Sequence, residues 1–313
     1  MRAPLRAAGD PPASLSVPPG ASVAAIGQRL QALGYVRHPL VFKALVASLG
    51  AGQGLKAGEY SLEGPLTLTQ IVELLQRGAS LRRDLTFPEG KPLEEMAALA
   101  GEAGLSREEF LAAARDPAAL RDLDPEATDL EGYLFPDTYD VPPGRVRAAT
   151  LVGRMLARFR ERVGPELPRV AASGRSLRQV VTLASLVELE TGRGDERARI
   201  AAVFLNRLKI GMPLQTDPTI IFALRRAGRW DGNIRKKDLE IDSPYNTYRR
   251  AGLPPGPIAS PGLAALRAVL EPAPVKDLYF VSRNDGSHEF SETLAAHERA
   301  VDRYQRRRPR AGS

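Results

Sequence analysis

A chain of 313 residues without a single cysteine has to hold its fold by burial and hydrogen bonding alone. That excludes a disulfide framework, a thiol nucleophile and any zinc site built on thiolates. Apolar residues make up 43% and charged residues 26%, a globular rather than a disordered balance with enough apolar surface for a sizeable core. At about 100–200 residues per domain, the length allows two domains. No apolar run reaches the length of about 18 residues that a membrane-spanning helix needs. The first twenty residues lack the apolar stretch of a signal peptide. Either the protein is cytoplasmic or an upstream anchor is missing.

The net charge is +7, and 37 of the 44 basic residues are Arg. A basic balance suits polyanions such as nucleic acid, acidic lipid or an anionic wall polymer. The charge is scattered, however, apart from Arg306, Arg307, Arg308 and Arg310 in the tail. No nucleic-acid reading motif accompanies it, so compositional bias is the better account.

Punctuation and periodicity divide the chain. Residues 1–13 are rich in Pro, Ala and Gly and read as a disordered N-terminal segment. A small unit spans 14–79. It has a strand at Leu15–Val17, then a helix capped by Ser22 with Val23, Ile26, Leu30 and Leu33 at helical spacing. A second helix starts at His38, a strand reaches Leu62, and a third helix capped by Thr67 or Thr69 stops at Gly78. A larger region spans 80–305, and 306–313 is a basic tail. The larger region opens with a strand near 83–88, helices at 93–100 and from Ser106, and an irregular aromatic segment at 129–139. Helices at 146–163 and 177–191 come next, then one capped by Asp195 and one capped by Asp217 ahead of Pro218. A hairpin around Asn284-Asp-Gly286 and a helix capped by Ser291 close it. The fold class is α+β, a small α/β unit followed by a larger mixed domain.

Chemistry concentrates in a few segments. The helix Leu177–Thr191 carries an apolar stripe of Val180, Leu183, Ala184 and Val187 and ends with Glu188 and Glu190. At about 100° per residue the two carboxyls diverge by roughly 200°, so they cannot serve one substrate atom as a pair. Glu190 lies at the negative end of the helix dipole beside Leu183 and Leu186. Both influences raise a carboxyl pKa, as a general acid requires. A solvated Glu at a helix end is the competing reading. Gln215 and Thr216 are hydrogen-bonding groups on an extended approach to Asp217. The segment 243–262 holds five Pro and three Gly, and places Asn246, one of only four Asn, between Tyr245 and Tyr248. Tyr faces and amide groups suit sugar rings; a Pro-rich connector with packed Tyr is the alternative. The three His match no zinc spacing, so no metal is expected. Phosphate loops, nucleophile elbows and dinucleotide fingerprints are absent from the sequence, and no cofactor is expected.

Four segments together resemble a known family. EGYLFPDTY (131–139), ASLVELETGRGDERARIAAVFLNRLKIGMPLQTDPTIIFAL (184–224), SPYNTYRRAGLPPGPIASPG (243–262) and LYFVSRNDGSHEFSETLAAH (278–297) are similar to the endolytic murein transglycosylases of the MltG (YceG-like) family. The resemblance implies a LysM-like unit ahead of a catalytic domain. It also implies cleavage of the β-1,4 bond between N-acetylmuramic acid and N-acetylglucosamine inside nascent glycan strands, leaving 1,6-anhydro ends and limiting strand length. The second Glu of the family's E-x-E pair is its catalytic one, which falls on Glu190. Gln215, Thr216, Asp217, Tyr245, Asn246 and Tyr248 then line the glycan cleft with Glu131 and Glu188, and Asp137 is a further helper. The implied partners are peptidoglycan strands and peptidoglycan synthases. The implied location is the periplasmic face of the cytoplasmic membrane, through an N-terminal transmembrane helix that this sequence does not show. Two other readings compete: a glycan-binding scaffold that does not cut, and, last, a nucleic-acid-binding protein prompted by charge alone.

Overall fold

Three side-chain caps start the helices of the N-terminal region, and the computed structural model describes them within residues 13–62, 64–78, 84–141 and 146–306. Strand β1 (Ala13–Val17) leads to α1 (Val23–Ala32), where the Ser22 hydroxyl accepts from the Ala25 N–H. Helix α2 (Pro39–Ser48) begins at His38, whose side chain accepts from the Leu40 N–H. Strand β2 (Gly58–Leu62) returns antiparallel to β1, with Leu15 opposite Tyr60. Thr67, not Thr69, caps α3 (Leu68–Arg77) through a capping box with Gln70, and Gly78 ends it at φ +72°. The order is strand–helix–helix–strand, followed by a third helix. Leu15, Ile26, Leu30, Phe42, Tyr60, Ile71 and Leu75 fill one core.

The chain divides into two compact units, Met1–Leu85 with Tyr139–Val146 and Thr86–Thr138 with Arg147–Ser313. The boundary expected near residue 80 lies outside the described residues. So does the N-terminal stretch expected to be disordered, except Ala13, which opens β1. Of the basic tail, only Arg306 is described, and it pairs with Asp302 at 2.9 Å.

The second unit is mostly helical. Strand β3 (Asp84–Thr86), shorter than the expected 83–88, pairs with β4 (Thr138–Asp140), and most of both strands belongs to the first unit. Between them lie α4 (Leu93–Glu102) and α5 (Arg107–Ala114). Then come α6 (Ala148–Val163), α7 (Leu167–Ala172), α8 (Leu177–Glu190), α9 (Arg197–Lys209) and α10 (Asp217–Arg226). Helix α11 (Leu263–Leu270), the antiparallel hairpin β5 (Tyr279–Ser282) and β6 (His288–Ser291), and α12 (Leu294–Val301) complete it.

Helix α8 is the centre of this unit. Eight consecutive residues, Val180 to Val187, are buried, as expected of a helix covered on all sides. It packs against α9, α10 and α11. The aromatic segment 131–139 has its own anchors. The Tyr133 hydroxyl donates to Asp124, which also pairs with Arg178 at 2.8 Å. Gly132 has φ +83°, and a Cβ there would stand 2.4 Å from Pro257 Cβ. Only glycine therefore lets this segment meet the Pro-rich loop.

Three expected caps differ. Asp195 pairs with Arg193, and Glu196 precedes α9. Thr216 is the residue before α10, which makes Asp217 its first helical residue. Ser291 ends β6, and Thr293 caps α12 by accepting from the Ala296 N–H. In each case the N-cap position falls one or two residues from the expected residue.

Candidate active site

The last turn of α8 sends Glu188 and Glu190 into different surroundings. Glu188 pairs with Arg197 at 3.1 Å and accepts from the Gly262 N–H at 2.9 Å, with its side chain 5% exposed. It thereby holds the residue that precedes α11. The geometry corrects its expected place among substrate contacts: both carboxylate oxygens are used inside the protein.

Glu190 points the other way and is half-buried. Its Oε1 accepts from the Thr216 hydroxyl, which leaves Oε2 to carry a proton. Desolvation pushes the carboxyl up to about 7, and the charge of Asp217 adds to the rise. The Thr216 hydroxyl and the charges of His288 and Arg207 work in the opposite direction. Burial, one of the two influences read from the sequence, is the leading cause.

Thr216 is held in place by the loop that follows α10. Its N–H donates to the Thr247 hydroxyl at 3.1 Å, and the Thr219 hydroxyl donates to its carbonyl at 2.7 Å. The Gln215 N–H donates to the Thr247 carbonyl at 3.1 Å. Gln215 itself is exposed at φ +49°, a left-handed conformation that costs a non-glycine residue about 1 kcal/mol or more. Asp217 is exposed and accepts from the Tyr248 hydroxyl. That carboxylate and burial hold the Tyr248 hydroxyl protonated far above its ordinary range. Asn246 is fully buried. Its Nδ2 donates to the Leu239 and Ile241 carbonyls at 2.8 and 2.9 Å, and its Oδ1 accepts from the Tyr248 N–H. The amide expected to face sugar is therefore spent on closing the loop that presents Tyr248.

Two predicted residues have other partners. Tyr245 packs against Phe222 with ring centroids 4.8 Å apart and sits under Arg226. Glu131 is buried, and both its oxygens accept from the Leu93 N–H at 3.2 Å, which caps α4 from another segment. Burial pushes the Glu131 carboxyl up to about 8. Asp137 pairs with Arg158 at 3.1 Å. The sequence grouped all these residues in one cleft; in the structure Tyr248 meets Asp217 at the start of α10, whereas Tyr245 packs on Phe222 further along it.

Sequence reasoning passed over two groups near Glu190. Arg207 is 8% exposed and donates to the Leu278 and Leu214 carbonyls at 2.7 and 2.6 Å, without a carboxylate partner among the described residues. It ties the approach to Thr216 onto the start of the hairpin. Its signal was an Arg on the apolar face of α9, three residues after Phe204. His288 Nδ1 lies 2.7 Å from Glu196, whose other oxygen accepts the His288 N–H. Its signal was one of only three His in the chain. Among the described residues no group of His, Cys, Asp and Glu could hold a metal ion.

A half-buried carboxyl raised toward neutrality and held at one oxygen by a hydroxyl is suited to acid–base chemistry, and it stands on a mostly helical α+β scaffold. Comparison with known proteins places the scaffold: the YceG-like family matches residues 15–303, and the chain belongs to it. A Bacillus subtilis (strain 168) protein named endolytic murein transglycosylase is 34% identical over 307 residues, covering 93% of this chain and 84% of its own. A protein of the same name from Streptococcus pneumoniae D39 is 32% identical over 321 residues, but there the match spans 57% of the longer relative. The crystal structure of a yceG-like protein from Listeria monocytogenes superposes with a TM-score of 0.65 at 31% identity, over 92% of this chain and 98% of that one.

Proposed function

We propose that this protein is an enzyme, a lyase that cuts murein glycan strands internally as an endolytic transglycosylase. The observation that carries the reading is Glu190, a carboxyl raised to about 7 by burial with one oxygen held by Thr216. Glu190 Oε2–H protonates the oxygen that links N-acetylmuramic acid to N-acetylglucosamine. The C1–O bond breaks, and its electron pair leaves with that oxygen. The muramoyl C6 oxygen then attacks C1, and its proton passes to the Glu190 carboxylate. The acid is regenerated, no water is consumed, and the new end is a 1,6-anhydro ring. A hydrolase of this bond would use two carboxyls flanking it, one of them to activate water or attack C1. Asp217, engaged by Tyr248, orients the cleft in this reading.

The order β1–α1–α2–β2 supports reading residues 14–79 as a LysM-like glycan-binding unit and 80–305 as the catalytic domain. No described helix is long and apolar enough to cross a membrane. The substrate puts the enzyme at the periplasmic face of the cytoplasmic membrane, beside the peptidoglycan synthases whose strands it shortens. The test is a digest of uncrosslinked strands by the parent and by Glu190→Gln, read by mass spectrometry. Anhydro ends made by the parent alone are expected. Reducing ends would make the protein a hydrolase; binding without cleavage would make it a scaffold.

A further inference from the structure

A groove of about 830 Å³ opens at the far end of α10, away from Glu190. Phe222, Trp230, Leu93, Glu131 and Arg226 line it. Its charges are mostly spent. Arg225 pairs with Glu95, and Arg107 and Arg115 share Glu94 at 3.3 and 3.1 Å. Glu131 is capped by the Leu93 N–H. Asp129, also in the lining, accepts from the Glu131 N–H at 3.0 Å, which leaves Arg226 as the lining cation without a carboxylate among the described residues. Its guanidinium lies 5.7 Å over the Phe222 ring and 5.6 Å over the Tyr245 ring, with no hydrogen bond or ion pair of its own among the described residues. A guanidinium placed over two rings and without a carboxylate partner keeps N–H groups available, and its fork matches a carboxylate. Phe222 and Trp230 beside it offer apolar contact to small side chains.

We infer that this groove is a subsite for the peptide stem of the substrate, with Arg226 taking a stem carboxylate and Phe222 and Trp230 packing on its methyl groups. The inference rests on murein being the substrate. Its dimension agrees: a muramoyl residue at Glu190 carries a stem of about four to five residues, and such a chain extended at about 3.3 Å per residue reaches roughly 13–17 Å. Asp217, beside Glu190, and Arg226 lie nine residues apart on α10, about 14 Å along its axis.

The test compares parent, Arg226→Gln and Arg226→Lys on peptide-bearing strands and on the same strands stripped by an amidase. The parent is expected to prefer peptide-bearing strands, and Arg226→Gln to lose about tenfold of that kcat/KM ratio through KM. Arg226→Lys, which keeps the charge but not the fork, should fall between them. Matching melting temperatures establish that the variants fold. A titration of free stem pentapeptide into each protein, followed by NMR, should show binding by the parent and at least tenfold weaker binding by Arg226→Gln. Equal cleavage of both strand types by the parent, or a preference unchanged in Arg226→Gln, overturns the subsite and leaves the transglycosylase reading intact. If the parent cuts neither strand type, the activity reading fails and the titration decides. Pentapeptide binding lost in Arg226→Gln supports the subsite. Absent or unchanged binding overturns it, and so does a chitooligosaccharide that binds in an Arg226-dependent way in its place.

Discussion

The two faces of the last turn of α8 hold the same functional group and put it to opposite uses. On one face Glu188 meets a buried guanidinium and a backbone N–H, so its charge is matched inside the protein. On the other, the Thr216 hydroxyl is the only hydrogen-bond partner of Glu190 among the described residues, and burial raises the Glu190 carboxyl to about 7. Depth does not separate them, since the Glu188 side chain is nearly covered. Partners do: a carboxylate with a cation is a structural anchor, and a carboxyl without one is a proton store. Glu131 adds a third case, raised further than Glu190 yet occupied by a helix terminus.

The sharpest way to break this comparison is to make both faces neutral. Glu190→Gln keeps shape and removes the acid, so turnover of uncrosslinked strands should fall by about 10³-fold or more, within the range of general acid catalysis. Glu188→Gln removes the nearer of two carboxylates from Arg197, leaving Glu89 at 3.8 Å, and should cost up to about 3 kcal/mol in a denaturant melt. Its activity per folded molecule should stay within about tenfold of the parent. Equal loss of activity in two well-folded variants would erase the distinction between anchor and acid.

The next effect is on pH dependence. With Glu190 protonated up to about 7, kcat/KM should fall as pH rises through that value. The Thr216 hydroxyl favours the ionised form, so Thr216→Val should move the falling limb to higher pH and slow the reaction about tenfold by freeing the carboxyl to rotate. A limb unmoved in Thr216→Val would mean that another group sets it.

Much of the scaffold was legible because it is local. Ser22 and Thr67 cap where capping chemistry says they should, apolar spacing located α1 and α8, and the Asn-Asp-Gly turn marked the closing hairpin. The divergence of Glu188 and Glu190 followed from helix geometry. What escaped was long-range. Whether Asn246 faces sugar or its own loop depends on carbonyls at 239 and 241, which no spacing rule places. Tyr245 and Tyr248 are three residues apart yet meet different parts of α10, Phe222 and Asp217, contacts that spacing alone does not set. Arg207 went unnoticed because a charged residue on an apolar stripe reads as an interruption until its carbonyl partners are known.

The smallest effect is on stability, and its sign is fixed by the same proton. Folding raises the Glu190 carboxyl from an ordinary value near 4.5 to about 7, so the folded state holds this proton more tightly than the unfolded chain. The stability it contributes is complete below about pH 4.5 and is lost as pH rises through 7. Gln carries no such dependence. The melting temperature of Glu190→Gln minus that of the parent should therefore grow from pH 4.5 to about pH 7 and level off beyond it, by a few degrees at about 2–4 °C per kcal/mol for a unit of this size. An inactive variant that is more stable than its parent at pH 8 but not at pH 4.5 would mark Glu190 as a group held against its own solvation. Glu131→Gln should show the same drift carried on to about pH 8. Glu188→Gln should be less stable than the parent at neutral pH, since there the charge is what its face of the helix uses. If Glu190→Gln instead tracks the parent at every pH, the carboxyl is solvated in the free enzyme, and whatever keeps it protonated arrives only with the substrate.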